Sequence, residues 1–123
     1  MCNCGNNSSI LSSTATTAVS SSQLLITPSN TLTPNNEQGV KILIKNSTAA
    51  AGMALPVFIE LGGTAVPVCD KFGNLVYGTQ IYKGQVLKGY YGNNGIGANA
   101  HYQLIRLPRR YYYGGGNQWS LKN

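Results

Sequence analysis

Alternation is the clearest pattern along the chain. Val40, Ile42 and Ile44 alternate with Lys41, Leu43 and Lys45, a period of two that predicts one strand with a single buried face. Leu55 to Leu61 and Thr64 to Cys69 are β-prone runs on either side of Gly62-Gly63. Two glycines supply the positive φ angles that a two-residue hairpin loop demands, so these runs are expected to pair. Pro67 has no N–H to give to a ladder and places the second run at a sheet edge. A turn is predicted at Asp70-Lys71-Phe72-Gly73-Asn74, leading to Leu75-Val76-Tyr77. Thr79 to Leu87 reads as one or two strands interrupted at Gly84, a candidate bulge. A glycine-rich loop, Gly89 to Ala100, precedes a strand over His101 to Leu107, with His101, Gln103 and Ile105 facing opposite to Tyr102, Leu104 and Arg106. Pro108 stops that strand. No segment sustains a helical period, so the expected fold class is all-β, a small sandwich or barrel.

The pattern also divides the chain. Residues 1 to 36 are mainly Ser, Thr, Asn and Ala and hold too few large apolar groups to build a core, so they are expected to form an extended N-terminal arm. Residues 37 to 110 are the β domain, and residues 111 to 123, with Gly114-Gly115-Gly116 and Trp119, form a short Tyr/Gly-rich C-terminal tail. The cohesive patch of the arm is Leu24-Leu25-Ile26, a short run suited to adding a strand to the sheet edge of a neighbouring chain. Deleting residues 1 to 36 is then expected to abolish assembly while leaving the domain folded.

Composition changes the picture at the surface. Only 10% of the 123 residues are charged, although the hydrophobic share is an ordinary 42%. Such a chain covers itself with Asn, Ser, Thr, Gly and Tyr, a coat that resists association less well than mixed charges do and suits a surface packed against neighbours, including further copies of itself. The net charge of +6 lies in the second half: after Asp70 come Lys71, Lys83, Lys88, Arg106, Arg109, Arg110 and Lys122 with no acid between them. A field of that sign attracts nucleic acid or an acidic protein face.

Catalytic chemistry has little to draw on. Glu37, Glu60 and Asp70 are scattered over the arm's end, a strand and a turn, which gives no carboxylate pair for acid–base work. Cys69 and His101 have no nucleophile-turn context around them. Cys2, Cys4, Cys69 and His101 are four metal-ligating types, but a C-x-C pair is tighter than the usual C-x₂₋₄-C of zinc sites. Gly95 to Ala100 matches G-x-G-x-x-A yet leads into a strand rather than a helix, so no dinucleotide site is implied. No cofactor is expected. The start of the chain lacks the basic and apolar regions of a secretory signal, and the most apolar stretch, Ala49 to Leu61, is too short to span a bilayer. No membrane partner is expected, and an odd count of three cysteines without an export signal argues against a disulfide framework.

Two readings compete for the basic half. Tyr82, Lys83, Lys88, Tyr90, Tyr91, Tyr102, Arg106, Arg109, Arg110 and Tyr111, Tyr112 and Tyr113 interleave cations with aromatic faces able to stack on bases, the ingredients of nucleic-acid binding. Lys88-Gly89-Tyr90 begins like a ribonucleoprotein motif, but Tyr91 and Gly92 break it. The other reading makes these tyrosines, Trp119 and the arginines anchors of protein contacts, where such residues are enriched.

An Asn/Ser/Thr/Gly/Tyr-rich chain with an arm, a β domain and an aromatic tail resembles the small virion proteins of tailed bacteriophages, and the segment Pro67-Val68-Cys69-Asp70-Lys71-Phe72-Gly73-Asn74-Leu75-Val76-Tyr77 looks most like those of crAss-like phages. The resemblance is to capsid auxiliary or decoration proteins and head-fibre anchors. It implies a β-rich unit made in the host cytoplasm, located in the virion and docked on the major capsid protein or another virion protein. It carries over no catalytic residues.

Overall fold

The computed structural model describes residues 9 to 92 and 100 to 106. Within them lie seven strands: β1 (Leu11–Ser20), β2 (Gln23–Pro28), β3 (Gly39–Ile44), β4 (Val57–Leu61), β5 (Thr64–Cys69), β6 (Val86–Gly92) and β7 (His101–Leu104). They close into a barrel in the order β1-β2-β4-β5-β7-β6-β3, with β3 returning to β1. The expected all-β class is thus observed, as a barrel rather than a sandwich.

Alternation builds the wall. Val40, Ile42 and Ile44 of β3 are buried while Lys41 and Leu43 face out, and Val57, Ile59 and Leu61 of β4 repeat the inward pattern. Each such side chain removed from water contributes about 1.5–3 kcal/mol, which is what holds a barrel of short strands closed. Gly62 and Gly63, at φ 66° and 82°, make the expected tight hairpin between β4 and β5, closing on Leu61 and Thr64.

Tyr102 lies in the middle of this core, fully buried, and its hydroxyl donates to the Val40 carbonyl at 2.7 Å. Because β6 lies between β7 and β3, that bond ties two non-adjacent strands together. Burial holds the phenol well above its ordinary range, so it stays protonated and able to donate. At Gly89, an added Cβ would meet the Gln103 carbonyl oxygen, so β6 comes too close to β7 there for any side chain.

The structure corrects four expectations. First, Leu11 to Pro28 is not an arm: β1 and β2 are staves of the barrel, joined by a tight loop with Ser21 at φ 56°. Leu24 and Ile26 are fully buried, and β2 pairs with both β1 and β4, so it has no free edge to offer another chain. The buried positions of β1 are small, Ala15 and Thr17, and small groups there fill space a longer side chain would overpack, while Leu11 on the same face packs against the core from its end. Asn46 completes the wall, accepting from the Thr17 N–H at 2.8 Å and donating to the Thr17 carbonyl at 3.0 Å, as a paired strand residue would.

Second, β5 is not an edge strand, since it lies between β4 and β7. A two-residue hairpin closes on a hydrogen-bonded pair, so alternation leaves Pro67 and Phe58 a non-hydrogen-bonded pair with the proline nitrogen turned away from β4. On that other side β7 registers only with Val68 and Cys69. The missing donor therefore interrupts no ladder. Third, Thr79 to Leu87 is mostly not strand: Gly78–Gln80 is a 3-10 turn, Gly84 at φ 87° sits in a tight turn rather than a bulge, and β6 begins at Val86. Fourth, the glycine-rich segment is strand through Gly92 and not loop from Gly89. Its continuation at residues 93 to 99, Pro108 and the tail from 111 to 123 lie outside the described residues.

Candidate functional site

Two outward surfaces carry side chains that the fold itself does not use. The first is the loop Asp70 to Asn74 between Cys69 and Leu75, which form a bridge at its base. Asp70 is buried, and its Oδ1 accepts from the N–H groups of Phe72 at 2.8 Å and Asn74 at 2.9 Å. Gly73 takes φ 91° so that its own N–H can return to the Asp70 carbonyl. Gln103 on β7 also donates to the Lys71 carbonyl at 3.2 Å. Every turn of this loop is thus fixed by a hydrogen bond.

What the fixed loop presents is Phe72, 74% exposed at its tip, with the Lys71 ammonium 5.3 Å from the ring centre. Leu75 and Tyr77, two residues apart on extended backbone around the buried Val76, are also exposed. Holding an aromatic ring in water on this loop gains the fold little beyond that one cation contact. In protein contacts such a pre-ordered aromatic residue is a strong anchor, since little entropy is lost when it docks.

The second surface is the outer face of the β3–β6 seam. The bonds from the Ile44 N–H to the Gln85 carbonyl and from the Tyr91 N–H to the Gln38 carbonyl set the hydrogen-bonded pairs at the buried positions of β3. Lys41 and Lys88 are therefore a non-hydrogen-bonded pair, the closer kind, and face each other in solvent. Leu43 lies opposite Val86 on one side of them and Gly39 opposite Tyr90 on the other. Here opens a groove of about 350 Å³, lined by Ile10, Glu37, Tyr90 and Ile105 together with both lysines.

The residues singled out in the sequence separate accordingly. Lys88 and Tyr90 share the seam, Lys83 is exposed in the turn before β6, and Arg106 is exposed just after β7. Tyr91 turns inward against the core, as do Leu24 and Ile26, whereas Leu25 is half-buried on the outer side of β2. Arg109, Arg110, Tyr111, Tyr112, Tyr113 and Trp119 lie outside the described residues, as do Cys2 and Cys4. Phe72, Lys41, Ile10 and Ile105 were not singled out as contact residues by sequence; the signal for Phe72 was its place between Asp and Gly in a predicted turn.

Cys69 is buried, and desolvation, with the Asp70 charge adding to it, pushes its thiol up; an activated nucleophile is shifted the other way. Cys69 registers with Gln103, while His101 pairs with Gly92 on the far side of β7. Asp70 spends its carboxylate on the loop, and Glu60 stands exposed on β4. Among the described residues no three of His, Cys, Asp and Glu gather as a metal site, and no helix is long and apolar enough to cross a membrane. No known family profile, curated protein or solved structure matches the chain.

Proposed function

We propose that this chain is a non-enzymatic structural protein that docks on other protein subunits of a larger assembly. The observation that carries the reading is Phe72: a fully presented aromatic side chain on a loop fixed by Asp70, in a protein whose surface has few charges to keep neighbours apart. The sequence resemblance names the assembly to test first, a bacteriophage virion in which the barrel sits on the major capsid protein as an auxiliary or decoration protein. In such particles Phe72→Ala should lower incorporation while leaving the melting transition in place. Incorporation equal to that of the parent chain would remove the loop from the account.

Nucleic-acid binding is the second reading, favoured by the exposed Tyr90 beside Lys88 on β6. It predicts affinity that falls steeply with salt and weakens when Arg109 and Arg110 become Ala. Binding unchanged by that substitution would retire the tail from this reading.

A further inference from the structure

Across the seam between β3 and β6 two cations stand in register on the solvent side. Lys41 and Lys88 stand directly opposite in the closer class of antiparallel pair, where like charges are destabilising. Both lysines line the groove, and Glu37 is the one carboxylate among its lining residues. With Cα atoms in register and both side chains in solvent, the two ammonium groups can reach one ligand lying over this point of the sheet.

The cross-strand pairs on either side of the lysines are uncharged and evenly spaced. Along the same face, Leu43 with Val86 comes one step to one side, and Gly39 with Tyr90 comes one step to the other, in the groove that both lysines also line. Same-face positions on adjacent strands recur about every 7 Å, and so do alternate side chains of an extended peptide. We propose that the seam binds an extended protein segment of the pattern apolar-x-acid-x-apolar, its carboxylate held between Lys41 and Lys88 and one apolar side chain seated in the groove. Charge complementarity selects the acid. The aliphatic walls select a peptide over single-stranded nucleic acid, because Ile10, Leu43, Val86 and Ile105 offer no stacking faces and Tyr90 is the one aromatic ring among them. Gly39 keeps the groove open: a Cβ there would already lie 3.3 Å from the Ile10 Cγ1.

This inference takes from the docking reading only that the partner is a protein, and it uses a surface other than the Phe72 loop. The test titrates the full chain with a blocked peptide of core Leu-Thr-Glu-Thr-Leu and follows backbone amide shifts. Shifts should centre on Lys41, Lys88 and Tyr90, and replacing the peptide's Glu with Gln should weaken binding about tenfold, as two lost ion pairs require. The double variant Lys41→Glu with Lys88→Glu should lose this peptide and bind the version with Lys in place of Glu. Gly39→Val, at ordinary backbone angles, should weaken both pairings without reversing the charge preference. No shifts at millimolar peptide would overturn the proposal, as would equal binding of a peptide with its Glu moved by one position. Oligothymidylate shifting the same amides more strongly would also overturn it, in favour of nucleic acid. None of these results would bear on Phe72→Ala incorporation.

Discussion

The Phe72 loop and the β3–β6 seam both face water, but they are built on opposite principles. In the loop, buried Asp70 orders the backbone by accepting from two of its N–H groups, and one aromatic side chain is left presented to water. In the seam the backbone is an ordinary ladder, and the unusual feature is the pairing of Lys41 with Lys88 across it. The loop offers order that a partner can use, and the seam offers paired positive charge. Function on the first surface should therefore depend on keeping the loop stiff, whereas on the second it should trade against stability.

The strongest way to break the comparison is to remove what both surfaces stand on. Deleting residues 1 to 36 takes away β1 and β2 and opens the barrel beside β3 and β4, so the remainder should lose its cooperative melt altogether, as seen by circular dichroism. A folded remainder would mean these strands are an arm after all.

Alkaline pH separates the two sides by the groups behind them. Cys69 borders the loop, and Tyr102 pins β3 under the seam; both have folded pKa values raised by burial. For each, the stability present below the unfolded pKa is lost as pH rises from that value toward the folded one, because only the unfolded chain ionises there. Denaturant midpoints should hold to about pH 8.5, where an unperturbed thiol titrates, and fall faster above about pH 10, where the phenol contributes up to about 1.4 kcal/mol per pH unit. Tyr102→Phe should remove the steeper part. A midpoint unchanged through pH 11 in the parent chain would contradict the buried-phenol account.

Asp70→Ala should cost about 1–3 kcal/mol in chemical denaturation, since two N–H groups lose their acceptor in a partly buried loop. It should also weaken docking although Phe72 is untouched, which separates stiffness from contact. Phe72→Ala should move stability by no more than about 0.5 kcal/mol and docking by about 2 kcal/mol. The smallest effect has the most telling sign. Lys88→Gln should stabilise the free protein by a few tenths, roughly 0.2–0.5 kcal/mol, by relieving the cross-strand repulsion. Destabilisation by this variant would mean that the two ammonium groups are not in conflict.

The parts of this fold that were legible in the sequence are those with large apolar side chains in alternation. Val40, Ile42 and Ile44 announce β3, and Gly62-Gly63 announces the β4–β5 hairpin through a conformation few other residues adopt. β1 was hidden because its inward residues, Ala15 and Thr17, are too small to register as hydrophobic, though the β-branched Thr14, Thr16, Thr17 and Val19 carried a propensity signal. The Pro67 rule failed because an edge was the wrong reason for a tolerated proline; a strand whose neighbour starts one residue later serves equally. Lys88 and Tyr90 could be chosen from the sequence, but their partner Lys41 could not, because register across 47 positions of chain is set by closure of the barrel and not by local pattern.

The docking claim is tested most directly by sedimenting particles from the source material on a density gradient, after nuclease and high salt, and measuring this chain by mass spectrometry. The account predicts a fixed ratio to a major shell protein through those washes, lost in the Phe72→Ala chain. Recovery only with soluble nucleic acid, released as salt rises, would contradict it.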